Sequence, residues 1–478
     1  MFSSVDLSLN IQNNVNYPVQ INVLGNPYNL LDTSNATTEY RWDFTSFTFT
    51  NQNQIIIQYK LNSETSFTTY SGQLGNQTLQ AIVDVLNNLN IGYFNLYTQG
   101  LNTYIGTYND NYTFGQMNVF SSLGSVNPNF FIGTGFDLPV RVIQVQTDGK
   151  IICGGDFSSY NGVSQNAISR LNPDGSLDTT FNSGGSGFNG EVYSLELQTD
   201  GKIICGGRFT SYNGVASIRI IRLNTDGSID ATFTSPIPND TVNAISIQTD
   251  GKIIIGGAFT QIGGLGRLRI ARLNSNGSLD NTFVVGSGAN SSVLSINIQT
   301  DGNIIICGNF SSYKGVSRNR IVRVDSTNTI DATFVIGTGF DVTLFASLLQ
   351  PDGKILCTGN FTTYNGSSAP GIVRLNTNGS IDTSFVIGSG IGVGGRGDSL
   401  GYINGFILLG GLFFSYQGNT CGSIVAINSD GSFYSSLGSG ANNEVNAINT
   451  QTAGSFLAGG SFTTFDNETY NCIVSVLF

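Results

Sequence analysis

The sequence predicts a mainly β chain. A seven-bladed β-propeller of four-stranded blades spans residues 125–478, closed by pairing its two ends, after a small mostly-β domain with one helix. Three observations predict it. Glycines at 149, 201, 251, 302, 353, 405 and 454 recur 49–52 residues apart, a pitch that suits blades when the unit is built of strands. Each unit reads as four short strands without a helix between them. The last unit stops after its third strand, and the missing fourth matches a segment that precedes the first unit.

The unit is clearest where it opens, at Gln146-Thr147-Asp148-Gly149-Lys150, Gln198-Thr199-Asp200-Gly201-Lys202 and Gln248-Thr249-Asp250-Gly251-Lys252. Weaker copies stand at Asp301-Gly302, Asp352-Gly353, Asn404-Gly405 and Ala453-Gly454. In the second copy, residues 192–198 alternate as a first strand, and Asp200-Gly201 predicts a two-residue hairpin with both residues at positive φ. Residues 202–207 form the second strand. A loop at 210–214 leads to a third strand at 220–224, and a turn at Asp226-Gly227 leads to a fourth at 229–233. At the chain ends, residues 473–478 match only a third strand. Residues 124–130 match 175–181, so they should complete the seventh blade, and closure removes the exposed sheet edges.

At this point the motif T-D-G-K-I-I-x-G-G-x-F…Y-N-G…I-x-R-L-N-x-D-G-S-[IL]-D-x-x-F resembles the delta-sixty repeat, a β-propeller family of bacterial surface proteins and some phage proteins. The resemblance covers about three quarters of the chain. It implies the propeller architecture and no shared catalytic residues.

Composition narrows the functional classes. Charged residues make up 11% of the 478, against about 25% in ordinary soluble domains, so the surface must be built from Asn, Ser, Thr, Gln and Gly. The net charge of −11 disfavours tracking of nucleic-acid phosphates. Histidine is absent, which removes the commonest general base and the usual catalytic zinc sites. The six cysteines, Cys153, Cys205, Cys307, Cys357, Cys421 and Cys472, form no C-x-x-C pair and read as small buried hydrophobes. The Asp-Gly turns lack the alternating acidic ligands of a calcium loop, so neither a metal nor a cofactor is expected. No stretch reaches the length of a membrane span, and residues 1–6 do not read as a secretory signal.

Repeated residues divide into three sets. Phe157, Phe209, Phe259, Phe310, Phe361, Phe413 and Phe462 hold one position in all seven units and read as core between blades rather than as exposed stacking platforms. Arg170, Arg222, Arg272, Arg323 and Arg374 recur with Asp178, Asp230, Asp280, Asp331 and Asp382. Units six and seven lose both together, having Ala426 with Tyr434 and Ser475 with Asn127. Joint loss marks the Arg and Asp as structural partners, across the hairpin or between blades. The loop Tyr160-Asn161-Gly162 returns at Tyr212-Asn213-Gly214 and Tyr364-Asn365-Gly366, with variants at Tyr313-Lys314-Gly315 and Tyr416-Gln417-Gly418. Tyr with Asn on one rim suits an adaptable polar binding surface for a sugar or protein; the competing reading is a tight turn whose Tyr packs back on the blade. Glycine-rich links such as Gly133-Thr134-Gly135-Phe136 precede the blades and read as connections, since no helix or Lys follows to hold a phosphate.

Residues 1–120 do not carry the repeat and should form a docking domain, followed by the propeller at 121–478. Alternation at Val5, Leu7, Leu9 and Ile11 and at Ile55, Ile57, Tyr59 and Leu61 predicts strands. Leu79, Ile82, Val83, Leu86 and Leu89 predict a helix near 78–90. Glu191 and Glu444 stand at matching positions of different blades, and nothing in the sequence marks them as a catalytic pair. The expectation is a non-enzymatic structural protein of a bacteriophage virion, as a head or tail fibre component. It would dock to other virion proteins through residues 1–120 and present the propeller for host-surface attachment or decoration, binding a cell-surface glycan or receptor. The alternatives are a bacterial surface or secreted adhesin and, less favoured without histidine, a polysaccharide-degrading enzyme. Blade six, around 396–418, and blade three, with Ile262-Gly263-Gly264 in place of the Tyr loop, depart most from the repeat and are where a binding site should be sought.

Overall fold

The computed structural model describes residues 124–478 except 128, 452 and 453, and the backbone of six strands between residues 5 and 107. The chain divides into two compact units, Met1–Leu123 and Gly124–Phe478. In the first, Val5–Gln12 pairs antiparallel with Pro18–Ile21 and with Gln54–Leu61, which pairs in turn with Thr68–Gln73. The register sets Leu7 opposite Tyr59 and Leu9 opposite Ile57, so the two alternating sets of the sequence face one another. Phe94–Gln99 and Asn102–Thr107 form a hairpin. The expected helix near 78–90 and the segment 40–49 lie outside the described residues.

The second unit is mostly β, with no helix among the described residues. Seven antiparallel sheets follow one another along the chain. Sheet two is representative: Val192–Leu197, Ile203–Gly207 and Ile220–Leu223 pair in that order. Its middle strand is buried on both faces, because each sheet is sandwiched between its neighbours. That is why Ile203-Ile204-Cys205 is continuously apolar rather than alternating. The seven phenylalanines of the sequence are all buried, and Phe209 stacks on Phe188 of the preceding link at 4.3 Å. All six cysteines are free and buried.

Gly206 and Gly207 end the middle strand where two other elements press on it. A Cβ at Gly207 would lie 2.1 Å from the Glu191 carbonyl oxygen, and one at Gly206 would lie 2.8 Å from Val242 of sheet three. The first strand also shifts register between Val192 and Ser194. This bulge recurs in all seven sheets, and so does the second glycine, whose added Cβ would lie 2.0–2.2 Å from a carbonyl oxygen in each, so that glycine accommodates a repeated feature of the unit, not a local defect.

Two expectations are corrected. The Asp-Gly hairpins are three-residue turns. Gly201 donates to the Gln198 carbonyl and Gln198 to the Lys202 carbonyl; Gly201 alone takes positive φ, +81°, while the Asp200 carboxylate accepts from the Lys202 amide. The Asp therefore closes an Asx turn and does not need the left-handed region. The fourth strand is reduced in sheets one to five to single bridges, such as Leu223 with Ile229; only sheet six has a longer one, Phe433–Ser435. Chemistry explains the shortening. Asp230 accepts from the amide and hydroxyl of Thr232, which curls the chain out of the extended conformation two residues after pairing begins.

The ends of this unit meet. Gly124 donates to Leu477, Leu477 to Ser125 and Asn127 to Ser475, at 2.7–2.9 Å, and Val126 bridges Val476. First strands touch first strands in order along the chain, and that of sheet seven, Val445–Gln451, touches that of sheet one, Val140–Val145. Asn449 of sheet seven donates to the Ile143 carbonyl at 3.2 Å, as Gln144 of sheet one does to Leu195 of sheet two at 3.0 Å.

Gly207→Ala should destabilise the unit by several kcal/mol, on the order expected for overpacking against fixed backbone. Gly214→Ala, where the added carbon meets nothing within 4 Å but φ is +76°, should cost about 1 kcal/mol. Denaturant melts of the two variants check the order; equal losses would contradict the packing account.

Candidate functional site

Of the two readings of the Tyr loop, the tight turn whose Tyr packs back on the blade is the arrangement found, and the tyrosines are not on the exposed rim. Tyr160, Tyr212, Tyr313, Tyr364 and Tyr416 are all buried. Four hydroxyls donate to glycine carbonyls of the turn after the third strand: Tyr160 to Gly175, Tyr212 to Gly227, Tyr364 to Gly379 and Tyr416 to Gly431. Tyr313 donates to the Asn328 side chain. Each ring packs on the link residue before its sheet, as Tyr212 does on Phe188 at 4.5 Å. The reason is a two-stranded hairpin inside the loop, Ser211–Tyr212 with Val215–Ala216, which alternates Tyr inward and exposes the residue after the glycine. Asn161, Asn213 and Asn365 are likewise engaged: their side-chain oxygens accept from the amides of Thr134, Gly187 and Thr338 in the glycine-rich links. Those links are connections held by the loops they face.

The five Arg–Asp pairs are bonded as a set. Arg170, Arg222, Arg272, Arg323 and Arg374 donate through Nε to Asp178, Asp230, Asp280, Asp331 and Asp382 at 2.7–2.8 Å. Each guanidinium also reaches the next sheet: Arg170 donates to the Thr225 carbonyl, Arg222 to Ser275, Arg272 to Ser326, Arg323 to Thr377 and Arg374 to Ser429. Beneath each lies the ring of Phe181, Phe233, Phe283, Phe334 or Phe385, at 4.7–4.9 Å. In four sheets a lysine adds a second cation, as Lys202 does on Asp230 at 2.9 Å. The lost pair of sheet seven is replaced in kind, since Asn127 donates to the Ser475 hydroxyl at 3.3 Å.

Burial works to raise the Asp230 carboxyl. The hydrogen bonds from Thr232, Lys202 and Arg222 outweigh it and hold the group far below the usual carboxylate range. Asp178, Asp280 and Asp382 behave alike. These sites are ion pairs within the fold, not free acids or bases.

A second charged group lies where sheet six departs from the repeat. Arg396 donates to Asp398 at 3.0 Å within its own strand and to Glu444, at the start of sheet seven. Burial pushes the Asp398 carboxyl up to about 7; Arg396 opposes this and the charge of Glu444 adds to it. Glu444 also lies within electrostatic reach of Arg141 in sheet one, which holds Asp156 through both Nε and Nη2, the latter at 2.7 Å. Glu191 faces Arg208 at 4.0 Å. Glu191 and Glu444 therefore belong to separate ion pairs and are not brought together. Asp398 escaped the sequence reading. In the strand register it stands where the other first strands carry Arg141, Tyr193, Asn243, Leu294, Phe345 and Asn446, one residue off the linear repeat. Among the described residues no cluster of three or more Cys, Asp or Glu could hold a metal ion.

The pairs set the pH response. A depressed carboxyl contributes stability that is present above its unfolded value, near 4, and is lost as pH falls below it. The protein should therefore lose stability steeply from pH 4 downward. Arg222→Met, which leaves Asp230 buried with one cation fewer, should cost about 3 kcal/mol at pH 7 and flatten that acid limb. Asp398 has the opposite sign: its raised carboxyl binds a proton more tightly when folded, so stability falls as pH rises from 4 to 7. Asp398→Asn should be more stable than the parent at pH 8, and by a smaller margin at pH 5, as read by urea melts at both.

With this geometry in view, comparison with known proteins gives a consistent picture. The family described as "Domain of unknown function (DUF5122) beta-propeller" matches at residues 146–181, 198–233, 248–283, 299–334 and 350–385. Each match runs from the opening turn of a unit to the phenylalanine beneath its arginine. Among solved structures the chain is similar to YCF48 from Cyanidioschyzon merolae, at 12% identity and a TM-score of 0.38, over 72% of this chain and 97% of that one. No curated protein matches the sequence.

Proposed function

We propose, for a chain that belongs over residues 146–385 to the DUF5122 β-propeller repeats, that the seven sheets are the blades of one closed ring and that the ring is a non-enzymatic presentation scaffold. Residues 1–120 dock it to other proteins of a virion, in keeping with a bacteriophage setting. The disc then serves host-surface attachment or decoration of the particle.

One observation carries this reading: the polar side chains that recur from sheet to sheet are engaged with the protein itself. Tyr hydroxyls, Asn side chains and the Arg–Asp pairs each bond to a neighbouring turn, link or sheet. What the unit repeats is structure, and what it varies is the exposed loop. Absence of histidine and a charged fraction of 11% fit a rigid, protease-resistant display better than a site for proton transfer. Closure is supported by the bonds across the chain ends, which copy those between internal sheets.

Deleting residues 124–130 should open the last blade and lower the melting temperature by several degrees, about what 1–2 kcal/mol does to a domain of this kind; an unchanged melt would refute the closure. Cryo-electron microscopy of particles from a producing culture tests the setting. Seven-lobed discs at symmetry-related positions are expected. Recovery of the chain from bacterial envelopes alone would favour an adhesin, and hydrolysis of a polysaccharide by the purified protein would overturn the non-enzymatic reading.

A further inference from the structure

Basic residues in the second unit sort into two groups. Eleven are held by carboxylates: the five repeat arginines with Lys150, Lys202, Lys252 and Lys354, and Arg141 and Arg396. The rest fall in residues 208–320, within sheets two to four. Arg208 has only Glu191, at 4.0 Å. Arg219, Arg267, Arg269, Lys314, Arg318 and Arg320 form no ion pair among the described residues. All lie between the second and third strands of their sheets, at one end of the unit. Arg219, Arg269 and Arg320 are equivalent residues of consecutive sheets. Each takes positive φ, +65° to +70°, and each donates through Nη1 to the carbonyl after its second strand, at Arg208, Ala258 and Asn309. Their stems are half-buried, so the guanidinium groups are fixed rather than free to wander.

The neighbouring residues match this in charge. The link before each of six sheets carries a side chain that caps the following hairpin. In sheets one and five it is Asp137 and Asp341, each accepting from two successive backbone amides. In sheets two, three and four the same bonds are made by Asn189, Asn239 and Asn290. Arg320 approaches the carbonyl of Asp341 at 3.5 Å, so this column stands beside the arginine column of the preceding sheet. Aspartate caps sheets one and five and Asn442 caps sheet seven; asparagine caps all three sheets that carry the unpaired arginines, and Arg320 alone has a capping aspartate, Asp341, beside it. Asp240, next to Asn239, caps its own Thr241. The same hairpins expose aliphatic tips, Val215 at 54%, Leu265 at 52% and Val316 at 44%, as sheet one does with Val163 at 49%, where sheets five to seven have Ser367, Asn419 and Glu468.

We infer that the hairpins of sheets two to four form a basic arc that binds an acidic polysaccharide, its carboxylates on the arginines and its sugar C–H faces on Val215, Leu265 and Val316. Fixed guanidinium forks suit planar carboxylates. The large aromatics Tyr212 and Tyr313 are buried, so these hairpins have no stacking platform for nucleobases. Duplex DNA carries a charge about every 1.7 Å and meets the repulsion of a chain at −11, whereas a glycan with one anion per two sugars meets far less. This deepens the reading of the disc as a display surface and rests on it for the biological setting alone.

The test uses the full chain with hyaluronate, which has one carboxylate per disaccharide, and with neutral dextran as control. The parent should bind hyaluronate and not dextran, more weakly as salt rises. The triple variant Asn189→Asp, Asn239→Asp, Asn290→Asp keeps the caps that aspartate already makes in sheets one and five, so its melt should match the parent. Its affinity should drop at least about tenfold. Ser367→Asp, Asn419→Asp, Asn442→Asp adds the same charge outside the arc and should lose clearly less. Equal losses in the two triples, no binding by the parent, or tighter binding to duplex DNA than to hyaluronate would each overturn the inference. None of these outcomes bears on whether the chain sits in a particle, which imaging decides separately.

Discussion

The arginine of the third strand is the interaction on which the rest of the second unit depends. One guanidinium holds the aspartate of its own turn, donates to a carbonyl of the next sheet and covers a phenylalanine. A buried ion pair alone is weak evidence for stability, because desolvation offsets its Coulomb gain. Here the desolvated groups have no hydrogen-bonding capacity to waste: the aspartate takes a hydroxyl, an amide and, in four sheets, a lysine as well. The pair therefore fixes direction more than it adds energy. It sets the angle at which one sheet meets the next, which apolar packing by itself leaves loose.

That constraint accounts for the low charge of the molecule. Charged residues are few, and eleven of the eighteen basic ones in the second unit are held by carboxylates within or between sheets. The Arg396–Asp398–Glu444 group is a variation on the same theme. Sheet six lacks the repeat arginine, having Ala426 in its place, and a different arginine on its first strand reaches the next sheet instead. Burial with few hydrogen-bond donors, and the charge of Glu444 beside it, raise Asp398, whereas the hydroxyl, amide and cation bonds of the repeat aspartates lower theirs.

The sequence made the repeat legible because each unit could be compared with six others. The seven phenylalanines, the Arg–Asp partnership and the pairing of residues 124–130 with the last strand all came from that comparison. Where reasoning failed, it judged a residue by its own type. Residue type left Tyr212 between an exposed rim and a turn packed back on the blade; the hairpin of Ser211–Tyr212 with Val215–Ala216, invisible at two residues per strand, is what turns it inward. The fourth strand was drawn too long because Asp230 was read as a strand residue and not as an Asx turn. The Asn at 189, 239 and 290 stand at the same spacing from the repeat glycine as Asp137 and Asp341, so the period carried that signal; Asp398 is offset by one residue, and only the register of its strand aligns it with the other sheets.

The central claim is that the two ends of the chain complete sheet seven as firmly as the other sheets are completed by continuous chain. Native-state hydrogen exchange measures this directly, at the amides of Asn127 and Leu477, which bond across the chain ends to Ser475 and Ser125. A closed ring predicts that they exchange as slowly as those of the third strand of sheet two, Ile220–Leu223, because both open only with the whole unit. Exchange at Asn127 and Leu477 orders of magnitude faster than at Ile220–Leu223, with the other sheets protected, would contradict closure.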